Sequence, residues 1–173
     1  MKNIPLLLLC CALNVYLSYG QIYYTSNGEI TFYSHAPIED IEATNKQVSC
    51  AIDIKEGKIA FSMLMNAFQF EKALMQEHFN ERYVESHKFP KATFEGLIKD
   101  LEDVSLSKAG SYNIEVEGKL TLHGITKTVK SRGTIKVGVD KNVSAKSTFV
   151  INLQDFKVEI PTMYIDNISE SIE

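Results

Sequence analysis

The chain has 173 residues, 45% of them hydrophobic and 23% charged, with a formal net charge of −4. That length suits one domain with a real core and is too short for two. An acidic balance with scattered lysines offers no basic patch for phosphate backbones, which argues against nucleic acid as a partner and against electrostatic docking on anionic lipid.

The first segment is a targeting signal by pattern. Lys2 supplies a positive start, Ile4 to Leu17 is mostly apolar, and Ser18-Tyr19-Gly20 gives small residues at the spacing of a cleavage site. Residues 1–20 are therefore predicted to be a secretory signal peptide and residues 21–173 the mature β-barrel domain, periplasmic or secreted. The apolar core is short for a membrane span, so no integral membrane insertion is expected. Cys10 and Cys11 invite a lipoprotein reading, but Leu8 and Leu9 stand where a lipobox needs small residues. With the signal removed only Cys50 remains, so no intramolecular disulfide can form and packing must supply the stability.

Tyr23 to Ser34 reads as two short strands around Asn27-Gly28, the dipeptide that a type I′ hairpin turn prefers. Ala36-Pro37 ends the second, and Ile38 to Asn45 reads as a polar loop or one helical turn. Val48, Cys50, Ile52 and Ile54 then alternate with polar neighbours, Lys55 to Lys58 turns the chain, and Ile59, Phe61, Met63 and Met65 alternate again. The period changes between Ala67 and Ile98. Phe70 and Leu74 lie four apart, as do Met75, Phe79 and Tyr83, which predicts one side of a short amphipathic helix. Lys88-Phe89-Pro90 stops it, because a residue before proline is driven to extended geometry.

Alternation resumes with a strand from Ala92 to Asp103 and a polar turn around Ser107 to Ser111. A second strand runs through Tyr112, Ile114, Val116, Leu120 and Leu122, and His123-Gly124 bends the chain. Lys127 to Gly138 returns, Asp140-Lys141-Asn142 turns, and Val143, Ala145, Phe149, Ile151 and Leu153 predict the last clear strand. The result is an all-β chain with one short helix and about eight half-polar strands. One helix cannot cover the apolar face of such a sheet, whereas closing the sheet into an eight-stranded antiparallel barrel buries it and removes the edges. A transmembrane barrel with its faces reversed fits less well, given the short strands, the internal helix and the lack of aromatic girdles.

Two stretches carry a family pattern: ALMQEHFNERYVESHKFPKATFEG at 73–96 and GKLTLHGITK at 118–127. They resemble the YceI-like family of secreted bacterial lipid-binding proteins, and the likeness extends in order and spacing over residues 22–172. The resemblance implies a lipocalin-like barrel that encloses a polyisoprenoid or another long amphiphile. The C-terminus departs from the pattern. Lys157 to Pro161 leads into Tyr164 to Ser171 without a final alternating strand, so the expectation is either a truncated sequence or a barrel left with an open seam. An unpaired edge there would admit a strand from a partner or from a second copy of the chain, giving a homodimer.

Candidate chemistry is sparse. His35, His78, His87 and His123 have neither the spacing nor the clustering of a metal site. His123 precedes a glycine at a strand bend, where a hydrogen bond to nearby backbone is the expected role. Cys50 with His78 or His123, or Glu77 with His78, would be the catalytic pairings. Cys50 is in register with apolar neighbours and predicted to be an inert inward thiol, and adjacent helix positions point apart. No nucleophile elbow, phosphate loop or dinucleotide fingerprint is present.

The apolar side chains are the better candidates. Phe32, Phe61, Met63, Met65, Phe94 and Phe149 on the strands, with Leu74, Met75, Phe79 and Tyr83 on the helix, are predicted to line a cavity. Methionine is flexible and polarisable, which suits a wall fitted to a floppy ligand. The residues by themselves leave a ligand cavity and a self-filled core as alternatives, and the family resemblance favours the cavity. The reading is an exported binding protein, not an enzyme, for a long apolar or amphiphilic ligand such as an isoprenoid-type lipid or quinone. It needs no cofactor, and an isoprenoid would be cargo. The competing reading is a structural or interaction protein with a filled barrel and an open edge strand that recruits a partner.

Overall fold

The computed structural model describes residues 22–99, 101–164 and 166–173, and every structural statement below concerns those residues. The expected signal peptide lies outside them. Ten strands and one α-helix follow in the order β1 (Ile22–His35), β2 (Asp40–Asp53), β3 (Lys58–Leu64), β4 (Gln69–Phe70), α1 (Ala73–His78), β5 (Lys91–Ile98), β6 (Gly110–Leu122), β7 (Ile125–Val137), β8 (Val143–Thr148), β9 (Ile151–Asn152) and β10 (Ser171–Ile172). Eight strands form one antiparallel sheet in the order β1-β2-β3-β5-β6-β7-β8, with β4 alongside β2, while β9 and β10 pair separately.

Period-two alternation explains why the sheet curls. On β6, Ile114, Val116, Leu120 and Leu122 are buried while Ser111, Asn113, Glu115 and Lys119 face water. Val48 and Ile52 on β2, Ala92, Phe94 and Ile98 on β5, and Ile135 and Val137 on β7 extend the same buried face. One apolar face on a twisted sheet must turn inward on itself. The strand order begins at β1 and ends at β8, which do not pair, so the architecture is a lipocalin-like half-barrel with an open seam.

Local chemistry sets the corners. His123 and Gly124, with φ of 49° and 72°, form a two-residue hairpin closed by the Leu122↔Ile125 pair, the geometry of a primed turn. Asp53 Oδ1 accepts from the Lys55 and Glu56 amides to start the β2–β3 turn, and Gly57 at φ 69° completes it. Asn45 is wholly buried, donating from Nδ2 to the Leu64 carbonyl at 2.8 Å and accepting from the Gln47 amide at 2.8 Å.

Several expectations from sequence need correction. Asn27-Gly28 is not a hairpin turn. β1 runs through it as one strand paired with β2, and the two residues mark an irregularity in register between Thr25 and Ile30. Residues 38–45 are mostly strand, because Ile41, Ala43 and Asn45 continue β2 beneath an acidic outer face. Phe70 belongs to β4, opposite Ala43, so α1 begins later than the apolar spacing suggests. The helix is only six residues long and widens over Phe79–Tyr83 into a π-turn, marked by the Val84 amide donating to the Phe79 carbonyl at 3.0 Å. Asn80 Nδ2 takes the Gln76 carbonyl at 2.9 Å, a side-chain bond of the kind that competes with helical continuation. The strand expected over Ala92–Asp103 stops at Ile98, with a 3₁₀ turn at Leu101–Asp103. The strand expected to end at Leu153 breaks after Thr148.

The C-terminus is also more ordered than its lack of alternation implied. Ser171 and Ile172 pair with Asn152 and Ile151, and Tyr33 and Glu173 exchange two backbone hydrogen bonds of 2.9 and 3.0 Å. Ser169 donates its amide to the buried Ser34 hydroxyl at 2.9 Å. The chain end thus bridges β9 to β1 at one end of the seam and leaves the rest of it open.

Candidate ligand cavity

The half-barrel encloses a cavity of about 1410 Å³. Its back wall is Val48 and Ile52 of β2, Ile59, Phe61 and Met63 of β3, and Ile114, Val116, Leu120 and Leu122 of β6. Met65 borders it from the turn after β3, and Phe32 from β1. α1 and its π-turn contribute Leu74, Met75, Phe79 and Tyr83 across the top, and Phe149 closes from beyond β8.

Of the side chains expected from sequence to line such a space, Phe94 alone does not border it. Its ring stacks on Phe61 at 5.0 Å and lies against Gly96 and Gly118, which face each other across β5 and β6. A Cβ on Gly118 would stand 2.5 Å from the Phe94 ring and from the Glu95 carbonyl oxygen, so the missing side chain is what admits the ring.

The lid is held from below by rings and from the side by polar bonds. Phe79 meets Phe70 at 5.0 Å, Phe68 at 5.5 Å and Phe32 at 5.7 Å, a cluster joining π-turn, β4 and β1. At the exit of the lid His123 ties three segments together. Its Nδ1 is 3.1 Å from the Phe156 carbonyl, as the expected backbone partner, and its Nε2 is 3.2 Å from Glu85 Oε2. The ring also meets Phe89 edge-on at 4.5 Å. Lys88 pairs with Glu85, and this contact, followed by His123, holds the Glu85 carboxyl below its ordinary range. Gly124 is required here, since a Cβ would fall 2.7 Å from Phe89 at a φ of 72°.

Polar residues such as Ser34, Glu39, Lys72 and His78 also border the cavity. Lys72 pairs with Glu39 beside Leu74. Burial raises the Tyr83 hydroxyl above its usual range, with Tyr164 a second cause; both phenols border the cavity. Cys50 borders the cavity, and burial raises its thiol as well. His78 borders the same space.

The sequence reading missed the C-terminal contribution. Leu153, Val158, Ile160 and Tyr164 border the cavity from an irregular segment that has no period to read, its only signal being large apolar residues spaced along 153–164. The open seam expected from sequence is where the space opens. Every residue from Val143 to Thr148 borders the cavity, as do Tyr23, Tyr24 and Thr25 in succession. Successive strand residues face opposite ways, so the cavity reaches around both edges and opens to solvent between β1 and β8.

Comparison with known proteins accounts for this architecture. The model of the YceI-like domain matches residues 23–173. The chain belongs to the YceI-like family. Among solved structures, this YceI-like chain is similar to a polyisoprenoid binding domain from Saccharophagus degradans implicated in plant cell wall breakdown. That match has a TM-score of 0.72 and 15% identity, covering 88% of this chain and 93% of that one. It is also similar to BcnA of Burkholderia cenocepacia, with a TM-score of 0.67 and 17% identity over 83% of this chain and 90% of that one. The Campylobacter jejuni YCEI protein matches with a TM-score of 0.58 and 18% identity, covering 79% and 82%. No curated protein sequence matches. At these identities the YceI-like relatives support the fold. No helix among the described residues is long and apolar enough to cross a membrane.

Proposed function

We propose that this chain is an exported, non-catalytic binding protein that holds a long apolar or amphiphilic molecule, an isoprenoid-type lipid or quinone, inside its half-barrel. The cavity carries the reading. Drug-sized pockets run to about 300–1,000 Å³, and about 1410 Å³ walled by aliphatic, aromatic and methionine side chains suits something longer and apolar. Binding draws on apolar area removed from water, about 25 cal/mol per Å² before ordering costs. The ten side chains named from sequence remain the proposed contact set, with Phe94 acting through Phe61. The description of the Saccharophagus domain as polyisoprenoid binding supports the ligand class, and the signal-like residues 1–20 support a periplasmic or secreted site of action. A self-filled barrel sits poorly with a space of this size. The unpaired edges of β1 and β8 favour, as a second reading, strand addition by another copy to give a homodimer.

The test is to produce residues 21–173 by export in a Gram-negative host, purify without detergent, and extract with organic solvent for mass spectrometry. A polyprenyl compound near one per chain is expected. A clean protein that also refuses added isoprenoids would overturn the proposal.

A further inference from the structure

At the lid end of the half-barrel, three separate segments each expose one large apolar side chain. Ile38 lies in the β1–β2 connection at 69% exposure, Leu74 on α1 at 61% and Met163 in the 3₁₀ turn at Thr162–Tyr164 at 76%. These segments are bound to one another. The Ile38 amide donates to the Asp166 carbonyl at 3.0 Å, Glu39 pairs with Lys72 just before α1, and Tyr164 borders the same cavity as Tyr83 of the lid. The opposite end of the sheet exposes Ile22, at the start of β1, and Val139, in the β7–β8 turn, with no bond between their segments among the described residues. The three side chains therefore form a rim, fixed in place by main-chain and ionic contacts, where single scattered apolar residues would carry no meaning.

The rim surrounds an opening. Leu74 is largely exposed and also borders the cavity, as do Glu39, Lys72 and Tyr164, so the interior reaches solvent among these residues. A long lipid leaving a bilayer for this interior would otherwise cross water with its chain exposed, at a cost that grows with every CH₂ group. We propose that the lid end is a membrane-docking face, on which Ile38, Leu74 and Met163 enter the interfacial layer of a lipid surface and place the mouth against it. This rests on the cavity being a lipid site. The charge on the rim selects the surface. Lys72 and Glu39 neutralise each other and the chain is net acidic, so the surface is electrically neutral, such as a zwitterionic lipid, and attachment is apolar.

The test uses residues 21–173, the I38D/M163D variant and phosphatidylcholine vesicles carrying a fluorescent polyprenyl lipid. Neither substituted side chain borders the cavity, so loading from detergent micelles serves as the control. Vesicle partitioning and vesicle-to-protein transfer are expected to fall about tenfold or more in the variant, with micelle loading unchanged and wild-type partitioning insensitive to salt. Equal partitioning and transfer by the two proteins would overturn the docking face, as would a wild-type dimer that the variant turns into a monomer, because the rim would then be a self-association surface. If neither protein loads lipid by either route, the cavity reading fails. Docking is then judged by vesicle co-sedimentation alone, and loss in the variant upholds it while equal behaviour overturns it.

Discussion

At the scale of single residues, the polar bonds that hold the lid are few and differ in their response to pH. Glu85 sits at a φ of 44° where the chain leaves the lid, and its carboxylate faces Lys88 and the second nitrogen of His123. Both partners favour the ionised form, so the folded carboxyl titrates below its unfolded value of about 4.3. A depressed carboxylate contributes stability that is complete above the unfolded value and lost as pH falls through the folded one. Glu85→Gln is therefore expected to lower the thermal midpoint near pH 7, and the gap to wild type should close as pH falls below the glutamate range. Melting curves of both proteins from neutral to strongly acid pH would check this. A gap that persists at the acid limit would assign the contribution to packing. Asn45 belongs to a different class, since its buried amide bonds two backbone groups and carries no charge to titrate.

At the scale of elements, close approach between strands matters as much as alternation. Gly96 and Gly118 pair across β5 and β6, and the Phe94 ring covers both. Gly118→Ala would drive a methyl against the ring and the Glu95 carbonyl, and is expected to cost about 1–3 kcal/mol by overpacking. Denaturant titration should show this loss, and Phe94→Leu in the same chain should restore part of it, because contacting sites couple. Such pairs also show what was legible beforehand. β3, β6 and β7 follow from period two, since more shielded positions alternate with exposed ones over much of each strand. β1 was misread because Asn-Gly is a local turn signal, overridden by pairing with β2 on both sides of it. The helix was overextended because Phe70 keeps helical spacing with Leu74 yet bonds as a strand. Nine of the ten side chains named from the apolar pattern border the cavity. The missing parts, Val158, Ile160 and Tyr164, lie on irregular chain that is tied through Phe156 to His123, 33 residues away, and continues into the segment that bonds Ser34 through Ser169. No local period encodes a contact at that range.

At the scale of the whole molecule, one short segment governs how far the seam opens. The sheet leaves β1 and β8 unpaired with each other, and β8 is exposed along nearly all of its length. Across the upper end of that gap the chain is held by the Ser169 amide on Ser34, the Tyr33–Glu173 backbone pair and the two residues of β10 on β9. Ile168 and Ile172 from the same segment border the cavity, so it is both a brace and a piece of wall. Removing residues 169–173 leaves the pairing of β1 with β2 and of β6 with β7 intact, and the core of the sheet is expected to stay folded. The Tyr33 amide, bonded only to Glu173 in that bridge, should then exchange with solvent faster by orders of magnitude, while amides in the β6–β7 ladder keep their protection. Lipid loaded into the truncated protein should also dissociate faster, because a wider seam exposes more of the chain to water. Hydrogen exchange read residue by residue, together with the off-rate of a fluorescent isoprenoid, measures both effects. Faster exchange at Tyr33 with an unchanged off-rate would place the exit for cargo at the lid rim, and a change in both would place it along the seam.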